Sequence, residues 1–412
     1  MNILFIHNNF PGQFGPLSAS LAAQPEHRVV FMTQSENPQN IRIQNVEVVR
    51  FLSNSKPQDG VNPYLRPLED AVFKAQACFQ ALLQLRDAGF IPDVVISHAG
   101  YGFGLFIKNL FPKVRLIGFV EWWFRPEIAE AVLGSQSLED CLRLDARNLP
   151  LLQEILKSDQ AVCPTHWQKD QFPQELQAKI VVQFDGVDCS LFAPQQIEEP
   201  FFLSGEDTQA PLVFKSDQLL LTYGTRGMEP LRGFPEFMRA AAVAQQRFPQ
   251  LHVVVFGRDR VAYSYPSGHP SGSWKQALLD ELDGQLDLER LHFPGLITYS
   301  QLSQLLCRSD LHCYFSRPYV VSWGVFNAAA CGCRLLVNRF PGIEEVFKTV
   351  PACVDLEDQA SINRAVLEAL EARLDASIQE GSPMANLREG LDLESCLKGW
   401  HQLIDPGHPC HA

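Results

Sequence analysis

Short apolar runs alternate with amphipathic stretches along this chain, and that alternation leaves few folds open. Runs at residues 2–6, 28–32, 46–51, 94–96, 116–120, 161–164 and 180–184 have the length and residue types of strands. Residues 68–88, opening just after Pro67, have the spacing of a long helix. Strands joined by helical crossovers lie parallel, because a tight turn can join only antiparallel neighbours. A second series follows, with strands at 219–223, 252–256, 311–315 and 335–337 and helices at 234–247, 275–282, 300–307 and 325–331. Residues 361–374 and 393–404 read as terminal helices.

At 412 residues the chain exceeds one ordinary core, so the two series predict two α/β domains. The polar, acidic, proline-containing stretch 193–211 breaks the periodicity and reads as their connection. The expected boundaries are 1–192 and 193–390, with 391–412 as a C-terminal helix and tail.

Composition serves mainly to exclude. The 46% hydrophobic and 20% charged residues suit a soluble globular protein, and a net charge of −13 argues against a general nucleic-acid binder. The opening MNILFIHNNF is too short in its apolar run, and lacks the basic flank, for a signal peptide. No run of about 18 apolar residues suggests a membrane span. The cytoplasm is therefore the expected location, and nothing supports membrane association. Eleven cysteines without a Cys-x-x-Cys pair indicate neither a disulfide framework nor a structural zinc site. His408, Cys410 and His411 lie close together at the tail, but three ligands at a terminus make a weak site, and no metal is expected.

Residues 316–345 are the best candidate for a site. Pro318 bars simple helix continuation, the small and apolar residues 325–331 suit a packed helix, Gly332 stops it, and Leu335 to Val337 form the next strand. The intervening loop thus lies at the carboxyl end of a strand, where open α/β sheets bind ligands. In the segment 224–234, Arg226 and Arg232 sit among glycines between a strand and a helix, a setting suited to an anion; the bland alternative is two solvated arginines. Gly12 and Gly15 follow the first strand, where they either let backbone amides approach a phosphate or sugar or merely form a turn. The Gly-x-G-x-x-Gly dinucleotide pattern is missing there, which disfavours a nicotinamide enzyme. His98, beyond the strand 94–96, either orients or relays a proton to a hydroxyl or simply caps a loop. Glu121, Trp122 and Trp123 either wall a sugar site or pack in an interface.

Together these segments resemble glycosyltransferase family 4, retaining enzymes of the GT-B fold. Phe184-Asp185-Gly186-Val187-Asp188, with Leu191-Phe192 and Pro194, is similar to that family's interdomain signature, and Ala161 to Thr165 to the strand before it. The resemblance implies two Rossmann-like domains facing a central cleft, with the C-terminal helix returning to the first domain. It also implies a nucleotide diphosphate sugar as donor and an unidentified acceptor. No cofactor or metal is implied, because the cations at the 224–234 loop would take a metal's place. Arg226 and Arg232 match the cations against the donor diphosphate, and with His98 they form the implied catalytic set. Gly12, Tyr319, Ser322, Trp323 and Asn327 fall on the donor side, and Glu121 and Trp122 on the acceptor side. The family's two signature glutamates are replaced, the first by Tyr319 and the second by Asn327, while Glu344 and Glu345 match a separate position.

Three readings follow: a retaining transferase, a GT-B scaffold that binds a nucleotide sugar or partner without turnover, and a nucleotide-sugar epimerase.

Overall fold

The computed structural model describes residues 1–53, 55–57, 59–374 and 387–405. His408, Cys410 and His411 lie outside the described residues. The chain divides into two compact units. The first comprises Met1–Glu127, Gln136–Gly186 and the C-terminal segment from Leu393; the second comprises Ile128–Ser135 and Val187–Asp392.

The first unit is built on seven parallel strands: β1 (Asn2–His7), β2 (Arg28–Thr33), β3 (Val46–Arg50), β4 (Val94–His98), β5 (Arg115–Phe119), β6 (Gln160–Cys163) and β7 (Ile180–Val182). Their order is β3-β2-β1-β4-β5-β6-β7, so the winding reverses between β1 and β4. Ile3, Leu4, Phe5 and Ile6 are all buried, as expected for a strand covered on both faces. The helix Leu393–Ile404 belongs to this unit: Trp400 and Ile404 join the cluster of Ile3, Phe5, Phe14 and Phe119, and Trp400 Nε1 donates to the Phe184 carbonyl at 3.1 Å. Gly186 permits this return. Its φ is +96°, and a Cβ there would stand 2.6 Å from Leu393 Cα.

The second unit carries six parallel strands in the order β12-β11-β10-β13-β14-β15 and a separate antiparallel pair, β8 with β9. They span β8 (Phe201–Leu203), β9 (Leu212–Phe214), β10 (Leu219–Gly227), β11 (Leu251–Arg258), β12 (Leu291–Gly295), β13 (Leu311–Tyr314), β14 (Leu335–Asn338) and β15 (Ala352–Val354). Here the winding reverses between β10 and β13. The helix Phe234–Arg247 starts where Gly233 turns left-handed, with Pro235 in its first turn. It buries Phe234 and Phe237 against Tyr223, whose ring stacks on Phe237 at 4.6 Å, and each such side chain contributes about 1.5–3 kcal/mol by leaving water.

Three expectations need correction. The stretch 193–211 is more than a connection, because Phe201, Leu203 and Phe214 pack with Leu220, Val254 and Leu305. β12 and β15 were not anticipated. β10 runs on to Gly227, so Arg226 lies at a strand end rather than in the loop. Among the described residues, no helix is long and apolar enough to cross a membrane.

Candidate functional site

In the second unit the chemistry collects at the carboxyl ends of β10 and β13, the point of reversal. The β10–β11 register shifts between Gly224 and Gly227, and Arg226 projects there into solvent. Glycine is sterically required at 224, where a Cβ would lie 2.0 Å from the Phe256 ring. Arg232, by contrast, is 8% exposed, and its Nη1 donates to Ser316 Oγ at 2.7 Å and to the Val320 carbonyl at 3.1 Å. The Tyr223 hydroxyl donates to the Arg232 carbonyl at 2.7 Å, fixing the backbone as well. Burial pushes the Tyr223 phenol well above its ordinary pKa, so it remains a donor.

The two arginines converge on one ring. Each guanidinium carbon lies 5.8 Å from the Tyr263 centroid, and Arg226 Nη1 donates to the Tyr263 hydroxyl at 2.9 Å. Arg232 is also 5.8 Å from the Tyr319 ring, which stands 5.8 Å from Tyr263. The segment carrying Tyr263 is held by Glu229, a fully buried carboxylate whose Oε2 accepts the amides of Ala262, Tyr263 and Ser264 at 2.9, 3.0 and 3.0 Å.

Ser322 caps the helix Trp323–Ala330 without a side-chain capping bond, and its amide donates to the Tyr314 hydroxyl at 3.0 Å. Trp323 is exposed at the helix start. Asn327 lies in the second turn of this helix rather than at its start, a correction to the expected 325–331 span. Gly332, at φ +72°, ends the helix, with its amide and that of Cys333 donating to Ala329 and Ala328 at 3.0 Å each.

In the first unit the reversal lies between β1 and β4, and the last residue of each is a histidine. The rings of His7 and His98 meet edge to face at 4.7 Å. His98 Nε2 lies 3.2 Å from Glu121 Oε2, and Glu121 Oε1 accepts from Gln13 Nε2 at 2.7 Å. Burial alone would raise the Glu121 pKa, but the His98 hydrogen bond and the neighbouring imidazoles and Gln13 bring it below its ordinary value. A general base needs a lone pair turned to the hydroxyl, whereas both His98 nitrogens face oxygens, Nδ1 meeting the Ala99 carbonyl at 3.2 Å. The geometry therefore favours the orienting role over proton relay. Gly12 has φ +54°, and a Cβ there would sit 2.6 Å from the His7 ring. Burial, then His98, lowers the His7 pKa to about 3, so this ring stays neutral. Trp122 packs against Trp167 at 6.0 Å and so serves as an internal wall rather than an open sugar platform.

Two family matches cover most of this sequence. The family described as "Glycosyl transferase family 4 group" matches residues 25–192, and that described as "Glycosyl transferase-like" matches residues 232–382. The chain belongs to the glycosyltransferases. No curated protein matches its sequence. Among solved structures, this glycosyltransferase is similar to sucrose-phosphate synthase from Thermosynechococcus elongatus, at 14% identity and TM-score 0.69, covering 98% of each chain. It is also similar to Anabaena HepE in complex with UDP and glucose, at 13% identity and TM-score 0.62, covering 98% of this chain and 99% of that one. The catalytic domain of starch synthase IV from Arabidopsis thaliana, bound to ADP and acarbose, follows at 13% identity and TM-score 0.61, covering 98% of each chain. At such identities the likeness establishes the GT-B fold of the glycosyltransferase.

Of the sequence-derived candidates in this glycosyltransferase, Arg226, Arg232 and Tyr319 assemble around Tyr263, and Gly12, His98 and Glu121 gather around His7. Glu229 and Ser316 lie inside the recognised segments 224–234 and 316–345, and His7 and Gln13 border or occupy the Gly12 loop, but none of the four was singled out. Tyr263 was missed altogether, because contacts between distant segments bring it to the site.

Proposed function

We propose that this glycosyltransferase transfers a sugar from a nucleoside diphosphate sugar, gripping the diphosphate with Arg226 and Arg232. The convergence of both guanidiniums on Tyr263, at the reversal point of the second sheet, carries this reading. When the bond from the anomeric carbon to the phosphate oxygen breaks, the leaving diphosphate gains charge, and fixed guanidinium donors stabilise it most at that moment. Arg232 is already anchored through Ser316 and Val320, so little reorganisation is needed. These cations fill the electrostatic role of a metal, and no metal is assigned. The ligands named with the Anabaena and Arabidopsis structures, UDP and ADP, support a nucleotide donor. Retention at the anomeric carbon is carried over from the resemblance to family 4.

On the acceptor side we assign Glu121, an ionised acceptor oriented by His98 and Gln13, to a hydroxyl of the acceptor. A second reading, binding without turnover, draws on Tyr319 and Asn327, which stand where the resembled family carries glutamates.

Thermal-shift screening with UDP, ADP and GDP tests the donor, since a ligand at about a hundred times its Kd adds about 2.7 kcal/mol of stability. Incubation with the matching nucleotide sugars, followed by mass spectrometry for released nucleotide, transferred sugar and epimerised donor, separates transfer, inert binding and epimerisation. No shift with any nucleoside diphosphate would overturn the reading.

A further inference from the structure

Resting on the diphosphate reading above, we propose that Tyr263 is a positioning residue for diphosphate recognition, acting through Arg226 and set in place by Glu229. Arg226 is exposed, and a long exposed side chain gives up rotamer freedom when it grips a phosphate. Its bond to the Tyr263 hydroxyl removes part of that freedom beforehand. One guanidinium proton is used, and four remain for an anion. The ring itself stands 5.8 Å from both cations, so its negative face offsets part of the repulsion between two like charges gathered in one place.

Tyr263 could not do this from a loose loop. Residues 259–265 follow β11, and one oxygen of Glu229 accepts three consecutive amides from them. Glu229 lies between Arg226 and Arg232 in sequence and is wholly buried, so a single carboxylate ties the Tyr263 segment to the segment bearing both arginines. The arrangement is a preorganised cation pair whose spacing is set by an aromatic ring, suited to the two adjoining anionic groups of a diphosphate more than to a single phosphate.

The test is calorimetry of the full chain with inorganic pyrophosphate, UDP and uridine. Tyr263→Phe removes only the hydroxyl and is expected to weaken pyrophosphate and UDP about fivefold while leaving uridine unchanged. In an Arg226→Ala background the same substitution should have no further effect, as two residues acting through one contact require. Glu229→Gln keeps an oxygen for the three amides and should retain most of the affinity. Equal pyrophosphate affinity in parent and Tyr263→Phe overturns the proposal, as does an equal loss with and without Arg226, or a matching loss for uridine. If the parent binds neither pyrophosphate nor UDP, the diphosphate reading fails and takes this proposal with it; if the parent binds both and Tyr263→Phe is silent, only the proposal falls.

Discussion

Arg232 Nη1 lies 2.7 Å from the Ser316 hydroxyl, joining the loop after β10 to the loop after β13 where the strand order reverses. The cation is therefore part of the folded scaffold, whereas Arg226, six residues earlier, projects from a strand end.

That contrast separates two substitutions. Arg232→Ala is expected to lower stability by about 2–3 kcal/mol, since it removes buried hydrogen bonds made by a charged group. Arg226→Ala should stay within about 0.5 kcal/mol of the parent, as surface changes usually do. Both should weaken UDP binding about tenfold or more. Urea unfolding and calorimetry measure the two effects, and equal stability losses would contradict the assigned burial roles.

Gly12→Ala tests the His7 loop. A left-handed backbone carrying a side chain costs about 1–3 kcal/mol, and the added methyl would press on the imidazole. A lowered melting temperature with altered His7 ring chemical shifts is expected; an unchanged melting temperature would show that the turn relaxes freely.

His7 also predicts an acid limb. Burial lowers its native pKa to about 3 from the ordinary 6.5, so below pH 6.5 the unfolded chain takes up a proton that the native state refuses. Stability is whole above pH 6.5 and falls as pH drops toward 3, with this one group contributing at most about 1.4 kcal/mol per pH unit. His7→Gln, neutral throughout, should flatten the slope of unfolding free energy between pH 6 and 4 by about one proton. An identical slope would exclude His7 as a source.

Asn327→Ala should weaken UDP about tenfold if the amide serves the ribose as the resembled family's second glutamate does. Asn327→Glu should strengthen it only modestly, because the residue lies in the second turn, where the helix dipole gives a carboxylate little help. Calorimetry with UDP decides, and unchanged affinity in both variants would remove Asn327 from the donor site.

The strands covered on both faces were legible because their apolar runs had little else to do: residues 2–6, 28–32 and 252–256 fall within β1, β2 and β11. β12 was not, because Pro294 cuts short a run of only three residues that His292 already breaks, and β8 hid in a stretch whose acids and prolines suggested a tether, with its partner β9 just beyond. Arg226 and Arg232 could be found from glycine spacing, since the backbone needs small residues where Phe256 and Phe315 approach Gly224 and Gly233. Tyr263 and Glu229 could not. Their roles arise from a meeting of two loops after adjacent strands, and nothing in residues 258–265 marks a tyrosine as the partner of an arginine far upstream.

The return of the helix Leu393–Ile404 to the first unit has a consequence for the order of assembly. Trp400 Nε1 bonds the Phe184 carbonyl, Gln183 reaches the Cys396 carbonyl, and Arg115 donates to the Leu403 carbonyl. During synthesis the first unit must therefore wait, with part of its core uncovered beside Ile3 and Phe119, until residues 187–392 have left the ribosome. A chain halted before Leu393 would spare most of the arginine-bearing unit and leave the histidine-bearing unit, made first, as the one exposed to chaperones and proteases.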